Sequence, residues 1–211
     1  MSEGAHARIV EMGTPLRRPA GAVIFSEGDS STSVYAVVEG RVRIEVTTPG
    51  GSRLVIAAKG PGEIFGEFGA LDGAPRSAAA VAVEAVALAQ LSTDGFLEIL
   101  GREPALSVSL LRTLSGQLRQ ALKRVALRSS ADTTTRLAHR LADLADRFGE
   151  HNDDDVEVDL SITQDDLAAW IGATRESTAR SLRNLRESGL VTTGRKRVTV
   201  ADVEALRRVG R

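Results

Sequence analysis

Glu67 and Arg76 stand on either side of a turn rich in glycine and small residues, within residues 64–81, Ile-Phe-Gly-Glu-Phe-Gly-Ala-Leu-Asp-Gly-Ala-Pro-Arg-Ser-Ala-Ala-Ala-Val. These types suit a small anion that carries a sugar. Backbone N–H groups near Gly66 and the planar fork of Arg76 can hold a phosphate, while Glu67 accepts from a ribose hydroxyl. Such chemistry binds a ligand without turning it over. His6, His139 and His151 lie far apart with no metal-ligand spacing, and no nucleophile stands beside a base. Neither a catalytic residue nor a metal is expected.

A second group of chemically active residues lies near the C-terminus, in Thr174-Arg175-Glu176-Ser177 with Arg180 and Arg183. At about 100° per residue from Arg175, Glu176 lies at about 100°, Arg180 at about 140° and Arg183 at about 80°, whereas Thr178, Leu182 and Leu185 lie between about 280° and 340°. One face of this helix is charged and the other apolar. The helix dipole disfavours arginine in a first turn, so Arg175 there points to a phosphate or a base. Arginine pairs bidentately with guanine and glutamate accepts from the cytosine amino group, which suggests base reading by Arg175, Glu176 and Arg180.

The elements that must position these residues follow from periodicity. Thr163 and Asp166 resemble a capping box that opens a helix through Leu167, Ala168 and Ile171; Gly172 supplies a tight turn and Thr174 caps the next helix, to about Arg186. Helix, glycine turn, helix is helix-turn-helix spacing. Leu190-Val191-Thr192-Thr193, the basic turn Gly194-Arg195-Lys196-Arg197 and Val198-Thr199-Val200 make a hairpin wing, whose tip suits the phosphate backbone. Upstream, Asp132 caps a helix over residues 133–148 with Leu137, Leu141, Leu144 and Phe148 on one face. Residues 149–155 form an acidic loop, and residues 156–160 alternate like an edge strand.

Residues 21–91 read as short strands with period-two alternation and frequent turns, the pattern of a sandwich or closed barrel. After Pro104, Leu111, Leu114, Leu118, Ala121 and Val125 recur by three and four, the seam of a coiled coil, so this helix is expected to pair with a second copy. Residues 128–132 are the expected hinge.

The chain has 211 residues, room for two small domains, and no cysteine, which removes disulfides, thiolate metal sites and cysteine-held clusters from consideration. The formal net charge of −1 hides an asymmetry: acids dominate residues 132–160 and arginines dominate from 161 onward. A basic C-terminal module is the footprint of a nucleic-acid binder. No signal peptide or apolar run of membrane-spanning length is evident, so a soluble, cytoplasmic protein is expected.

On these residues the chain resembles the cyclic-AMP receptor protein family of bacterial transcription regulators, over nearly its whole length. Gly21, Ile24, Phe25, Gly28 and Asp29, then Tyr35 and Gly40, are similar to the family's β-roll. Phe65-Gly66-Glu67 with Arg76-Ser77 is similar to its phosphate-binding cassette, and Thr174-Arg175-Glu176-Ser177 with Arg180 to its recognition helix. The resemblance implies an α+β fold: a jelly-roll-like cyclic-nucleotide-binding β-roll (1–102), a long dimerisation helix and hinge (103–131) and a winged helix-turn-helix (132–211). It implies cyclic AMP as allosteric ligand, held by Gly66, Glu67, Phe68, Arg76 and Ser77. It also implies a homodimer on a palindromic operator with TGTGA-type half-sites, read by Thr174, Arg175, Glu176, Ser177 and Arg180, with Arg195, Lys196 and Arg197 on the backbone. Contact with RNA polymerase at the acidic loop follows from the same resemblance.

Two departures matter. The Glu67-to-Arg76 interval is one residue shorter than in the best-known bacterial member. Ala121 and Leu122 occupy the positions where that member carries side chains that hydrogen-bond adenine, and neither can donate or accept. The alternative expectation is therefore a member with altered ligand specificity or ligand-independent DNA binding.

Overall fold

The computed structural model describes residues 3–48, 51, 53–130, 132–151, 155–159, 164–194 and 197–210. Thr163 of the expected capping box, Ala131 of the expected hinge, residues 152–154 of the acidic loop, and Arg195 and Lys196 of the wing tip lie outside the described residues. The chain divides into two compact units, residues 1–121 and 122–211.

The first unit begins with helix α1 (Glu3–Met12) and continues through β1 (Thr14–Arg18), β2 (Val23–Phe25), β3 (Ser33–Glu39), β4 (Val42–Thr47), β5 (Arg53–Lys59) and β6 (Ile64–Phe65). Helix α2 (Glu67–Asp72), β7 (Ala79–Ala82), β8 (Val86–Ser92), α3 (Thr93–Arg102) and the start of α4 (Pro104–Ser130) complete it. Two four-stranded sheets form, in the orders β1-β8-β3-β6 and β2-β7-β4-β5, with antiparallel pairing throughout. This is the sandwich expected from the alternation.

Successive side chains of a strand point to opposite faces, and β3 uses both. Tyr35 and Val37 face Val42, Phe65, Ala80, Ala82, Val86 and Leu88 between the sheets. Val34 and Ala36 face the other way, onto Ile9 of α1, Phe96 and Ile99 of α3, and Leu106 and Leu110 of α4. Covered on both sides, β3 is buried without interruption from Ser33 to Val37. Its period-two signal is thereby lost.

Several elements depart from the sequence expectation. The stretch before residue 21 holds α1 and β1. Edge strand β1 turns only Leu16 partly inward and leaves Pro15, Arg17 and Arg18 exposed, so it carries almost no apolar pattern. Helix α4 does not offer a uniform apolar seam. Leu106 and Leu110 belong to the core and Leu114 packs against it, while Leu111, Leu118, Leu122 and Val125 are exposed.

The second unit contains α5 (Thr133–Phe148), β9 (Glu150–His151), β10 (Val156–Asp159), α6 (Gln164–Ile171), α7 (Arg175–Glu187), β11 (Val191–Gly194), β12 (Arg197–Val200) and α8 (Val203–Arg208). Asp132 caps α5 as expected, accepting from the Thr135 N–H at 2.7 Å. Those bonds and the nearby Arg136 charge hold its carboxyl below the usual aspartate value. Leu137 and Leu141 are fully buried in the core of this unit. The sheet order is β11-β12-β10-β9, so β10 lies inside the sheet between β12 and β9 and is not the expected edge strand.

A candidate ligand cassette and nucleic-acid interface

The expected turn after β6 is a short helix. Gly66 adopts φ 80°, a left-handed conformation that glycine enters without strain, and so swings the chain from β6 into α2 with Glu67 in its first turn. A Cβ at Gly66 would lie 2.6 Å from Nη1 of Arg76. Only glycine leaves that space to the guanidinium.

Arg76 is 5% exposed and closely held. Its Nη1 donates to the Gly66 carbonyl at 2.7 Å and its Nη2 to the Ser33 carbonyl at 2.6 Å. The guanidinium lies 4.1 Å from the centre of the Phe25 ring. Phe25, Tyr35 and Phe65 pack as a trio, with Tyr35 stacked on Phe65 at 5.1 Å. The backbone is pinned too: the Arg76 N–H donates to the Asp29 carbonyl at 2.8 Å, and Gly28 N–H donates to the Arg76 carbonyl at 2.9 Å. Burial pulls the guanidinium below the usual arginine pKa, while Tyr35, Asp29 and Glu67 act in the opposite direction.

One donor of this buried cation is left over, since Arg76 Nε is buried with no hydrogen-bond partner. An orphaned donor on a cation seated against Gly66, with a carboxylate in the first turn of α2, fits an anionic ligand with hydroxyls to offer. Glu67 is 4% exposed, whereas Phe68 is 46% exposed and Ser77 is exposed. The structure thus brings Gly66, Glu67 and Arg76 together. Phe25 and the Ser33 carbonyl, which orient Arg76, were not marked as site residues by sequence. They are distant along the chain, and one of them acts through a backbone atom that every residue type supplies. Of the two α4 positions named for the base, Ala121 is half-buried and Leu122 is 60% exposed.

The C-terminal helices have the expected form. Thr174 caps α7, its hydroxyl accepting from the Ser177 N–H at 3.2 Å, and Gly172 turns between α6 and α7 with φ 61°. Thr178, Ser181, Leu182 and Leu185 are buried, and Arg175, Glu176, Arg180 and Arg183 are exposed. Helix α5 supports this pair: Thr134 donates to the Ser181 hydroxyl at 3.1 Å, Arg136 Nε donates to the Ile171 carbonyl at 3.2 Å, and Arg140 lies over the Trp170 ring at 4.7 Å. Trp170 is core, at 8% exposure. Arg183 shares the exposed face with Glu176 and Arg180, as its angle on the helix predicts.

The wing forms from β11 and β12, but Arg197 is not in its turn. It is the first residue of β12 and pairs with Glu157 of β10, Nη1 to Oε1 at 2.8 Å. Register explains this, because Gly194 already pairs with Arg197 across the hairpin. Among the described residues no cluster of His, Cys, Asp or Glu could hold a metal, and no helix is long and apolar enough to cross a membrane.

Comparison with known proteins follows the same two parts. Residues 15–103 match the cyclic nucleotide-binding domain family, and residues 135–209 match the Crp-like helix-turn-helix domain. The chain is similar to the "Cyclic AMP receptor protein" of Thermus thermophilus, 35% identical over 191 residues, 90% of this chain and 85% of that protein. It is also similar to the "CRP-like cAMP-activated global transcriptional regulator" of Mycobacterium tuberculosis, 29% identical over 207 residues, 98% of this chain and 92% of that one. The fold matches the solved structure of FixK2 from Bradyrhizobium japonicum with a TM-score of 0.82 at 22% identity, over 93% of this chain and 96% of that one. The Mycobacterium tuberculosis relative is named as a transcriptional regulator, and none of the three is named as an enzyme.

Proposed function

The chain belongs to the Crp/Fnr family of cyclic-nucleotide-binding transcription regulators, and on that premise we propose that it is a homodimer whose binding to a palindromic operator is governed by cyclic AMP. The observation that carries this reading is the buried Arg76, with an orphaned Nε, its guanidinium seated against Gly66. Arg76 and Ser77 meet the cyclic phosphate, Glu67 takes the ribose hydroxyl, and Gly66 and Phe68 line the approach. The nucleotide supplies charge and hydrogen-bonding groups and no reaction. Residues up to 102 bind it, residues 103–131 form the dimer helix and hinge, and residues 132–211 bind DNA.

Exposed Leu111, Leu118, Leu122 and Val125 on α4 support association with a second copy. Two copies present two α7 helices to half-sites about one DNA turn apart, with TGTGA-type sequence read by Arg175, Glu176 and Arg180. Ligand biases the arrangement of those helices, and by reciprocity DNA tightens the ligand. The acidic segment at 149–155, which includes strand β9 and so is not the simple loop expected, is the candidate contact for RNA polymerase.

A second reading is a different effector in the same cassette. It is favoured by Leu122, an exposed apolar side chain where recognition of an adenine edge would need a polar one. Calorimetric titration with cyclic AMP and with cyclic GMP, followed by operator binding with and without each, tests both. Cyclic AMP binding that tightens operator affinity supports the first reading. Heat from neither nucleotide, with operator binding unchanged by both, overturns it.

A further inference from the structure

Arg175 enters the DNA-reading face already engaged. Its Nε lies 3.6 Å from Oδ1 of Asp165, which stands in the first turn of α6, and the two side chains are 69% and 55% exposed. The pair joins the two helices of the helix-turn-helix at the surface that carries Glu176, Arg180 and Arg183. A solvent-exposed ion pair of this kind adds little to folding stability. A carboxylate at a surface that approaches DNA repels phosphates as well, so Asp165 weakens the general attraction on which non-specific binding depends. Its position is therefore unfavourable for affinity and neutral for stability.

The geometry of the guanidinium explains what it gains. Asp165 engages the Nε edge, and the Nη1–Nη2 edge is the one that pairs bidentately with the O6 and N7 of guanine. With the Asp165 carboxylate 3.6 Å from its Nε, an ion pair longer than a hydrogen bond, Arg175 is biased toward presenting that fork in one direction; released, the same long side chain swings to the nearest phosphate. We propose that Asp165 is a positioning residue that makes Arg175 read a base where it would otherwise bind the backbone, so that it sets sequence specificity at the expense of non-specific affinity. This rests on α7 being the DNA-reading helix. As the pair leaves water at the interface the attraction between its members strengthens, which keeps Asp165 in place when Arg175 docks.

The test uses the full chain with cyclic AMP, the operator selected by the wild-type protein, and a scrambled duplex of equal length. Fluorescence anisotropy gives both affinities over a range of salt for wild type, Asp165→Asn, Arg175→Ala and the double variant. Asp165→Asn is expected to bind the scrambled duplex about fivefold more tightly, with the operator affinity within about twofold, so the ratio of the two falls at least about 2.5-fold. The salt slope on scrambled DNA should steepen by about one phosphate equivalent. In the Arg175→Ala background the substitution should leave the ratio unchanged. Equal tightening on both duplexes would make Asp165 a mere repulsive charge and overturn the inference, as would an unchanged ratio, or a loss of ratio that persists without Arg175. A wild-type chain that selects no sequence with cyclic AMP, with cyclic GMP or without a nucleotide would instead refute the role of α7, and the inference with it.

Discussion

Replacing Arg76 by leucine separates the structural task of one buried side chain from the binding task proposed for it. In the folded protein it satisfies the Gly66 and Ser33 carbonyls, at 2.7 and 2.6 Å, and lies 4.1 Å from the Phe25 ring centre. Leaving the buried Ser33 acceptor unpaired costs roughly 1–3 kcal/mol, and the partly buried Gly66 carbonyl, which also caps α2, adds less than about 1 kcal/mol. Removing the cation–π interaction adds about 1–2 kcal/mol. Leucine in turn removes the penalty of keeping a guanidinium at 5% exposure, which offsets part of this. The expected balance is a destabilisation of about 2–4 kcal/mol, which for the 121 residues of the first unit lowers the melting temperature by roughly 8–16 °C. Without the guanidinium fork the phosphate also goes unclamped, which weakens nucleotide binding at least about a hundredfold. Circular dichroism melts and calorimetry well below the melting point read the two effects separately. Arg76→Lys keeps the charge without the fork and should recover stability and affinity only in part. A leucine variant that melts within about 2 °C of wild type would refute the structural task, and an unchanged nucleotide affinity would refute the binding task.

Gly66→Ala places a Cβ 2.6 Å from Arg76 Nη1 at φ 80° and should cost about 1–2 kcal/mol and weaken nucleotide binding at least about tenfold; equal affinity in calorimetry would show that Arg76 can give way. Asp132→Ala removes the cap of α5 and should cost about 1 kcal/mol at neutral pH. Because the folded-state pKa of Asp132 is depressed, this contribution is complete above the ordinary carboxylate pKa of about 4 and fades as pH falls through the lower folded value, so wild type and variant should converge in acid urea titrations. Leu118→Glu, on the exposed face of α4, should weaken self-association at least about tenfold in sedimentation equilibrium; an unchanged dimer would place the interface elsewhere.

The sequence was most legible where one side chain does one local task. Asp132 and Thr174 cap the helices that their types and positions announce, and Leu137, Leu141 and Leu144 bury the face that their spacing marks. Legibility failed where a residue acts through space or through its backbone. Nothing in the types of Ser33 and Phe25 says that a carbonyl and a ring there will hold Arg76. Arg197 read as a turn residue because it follows two other basic residues, yet register assigns it to β12, beside Glu157. Strand β10 alternates as any half-buried strand does, and a neighbour as short as β9 leaves no pattern by which to see that it is interior. The cassette was read by its chemistry and not by its shape, because Glu67 opens a helix of only six residues whose start depends on the left-handed Gly66.

Helix α4 has two halves with different fates. Its first turns belong to the core through Leu106 and Leu110, whereas Leu118, Leu122 and Val125 face solvent in a single copy. Amide protons in the first half should therefore exchange only when the sandwich opens, at a rate indifferent to how much protein is present. Those around residues 118–125 should exchange faster in dilute solution and slow as the concentration rises if the proposed association shields them. Along one continuous helix, folding would thus give way to mass action within about three turns, and the amount of the regulator present would become one of the quantities that set its rigidity.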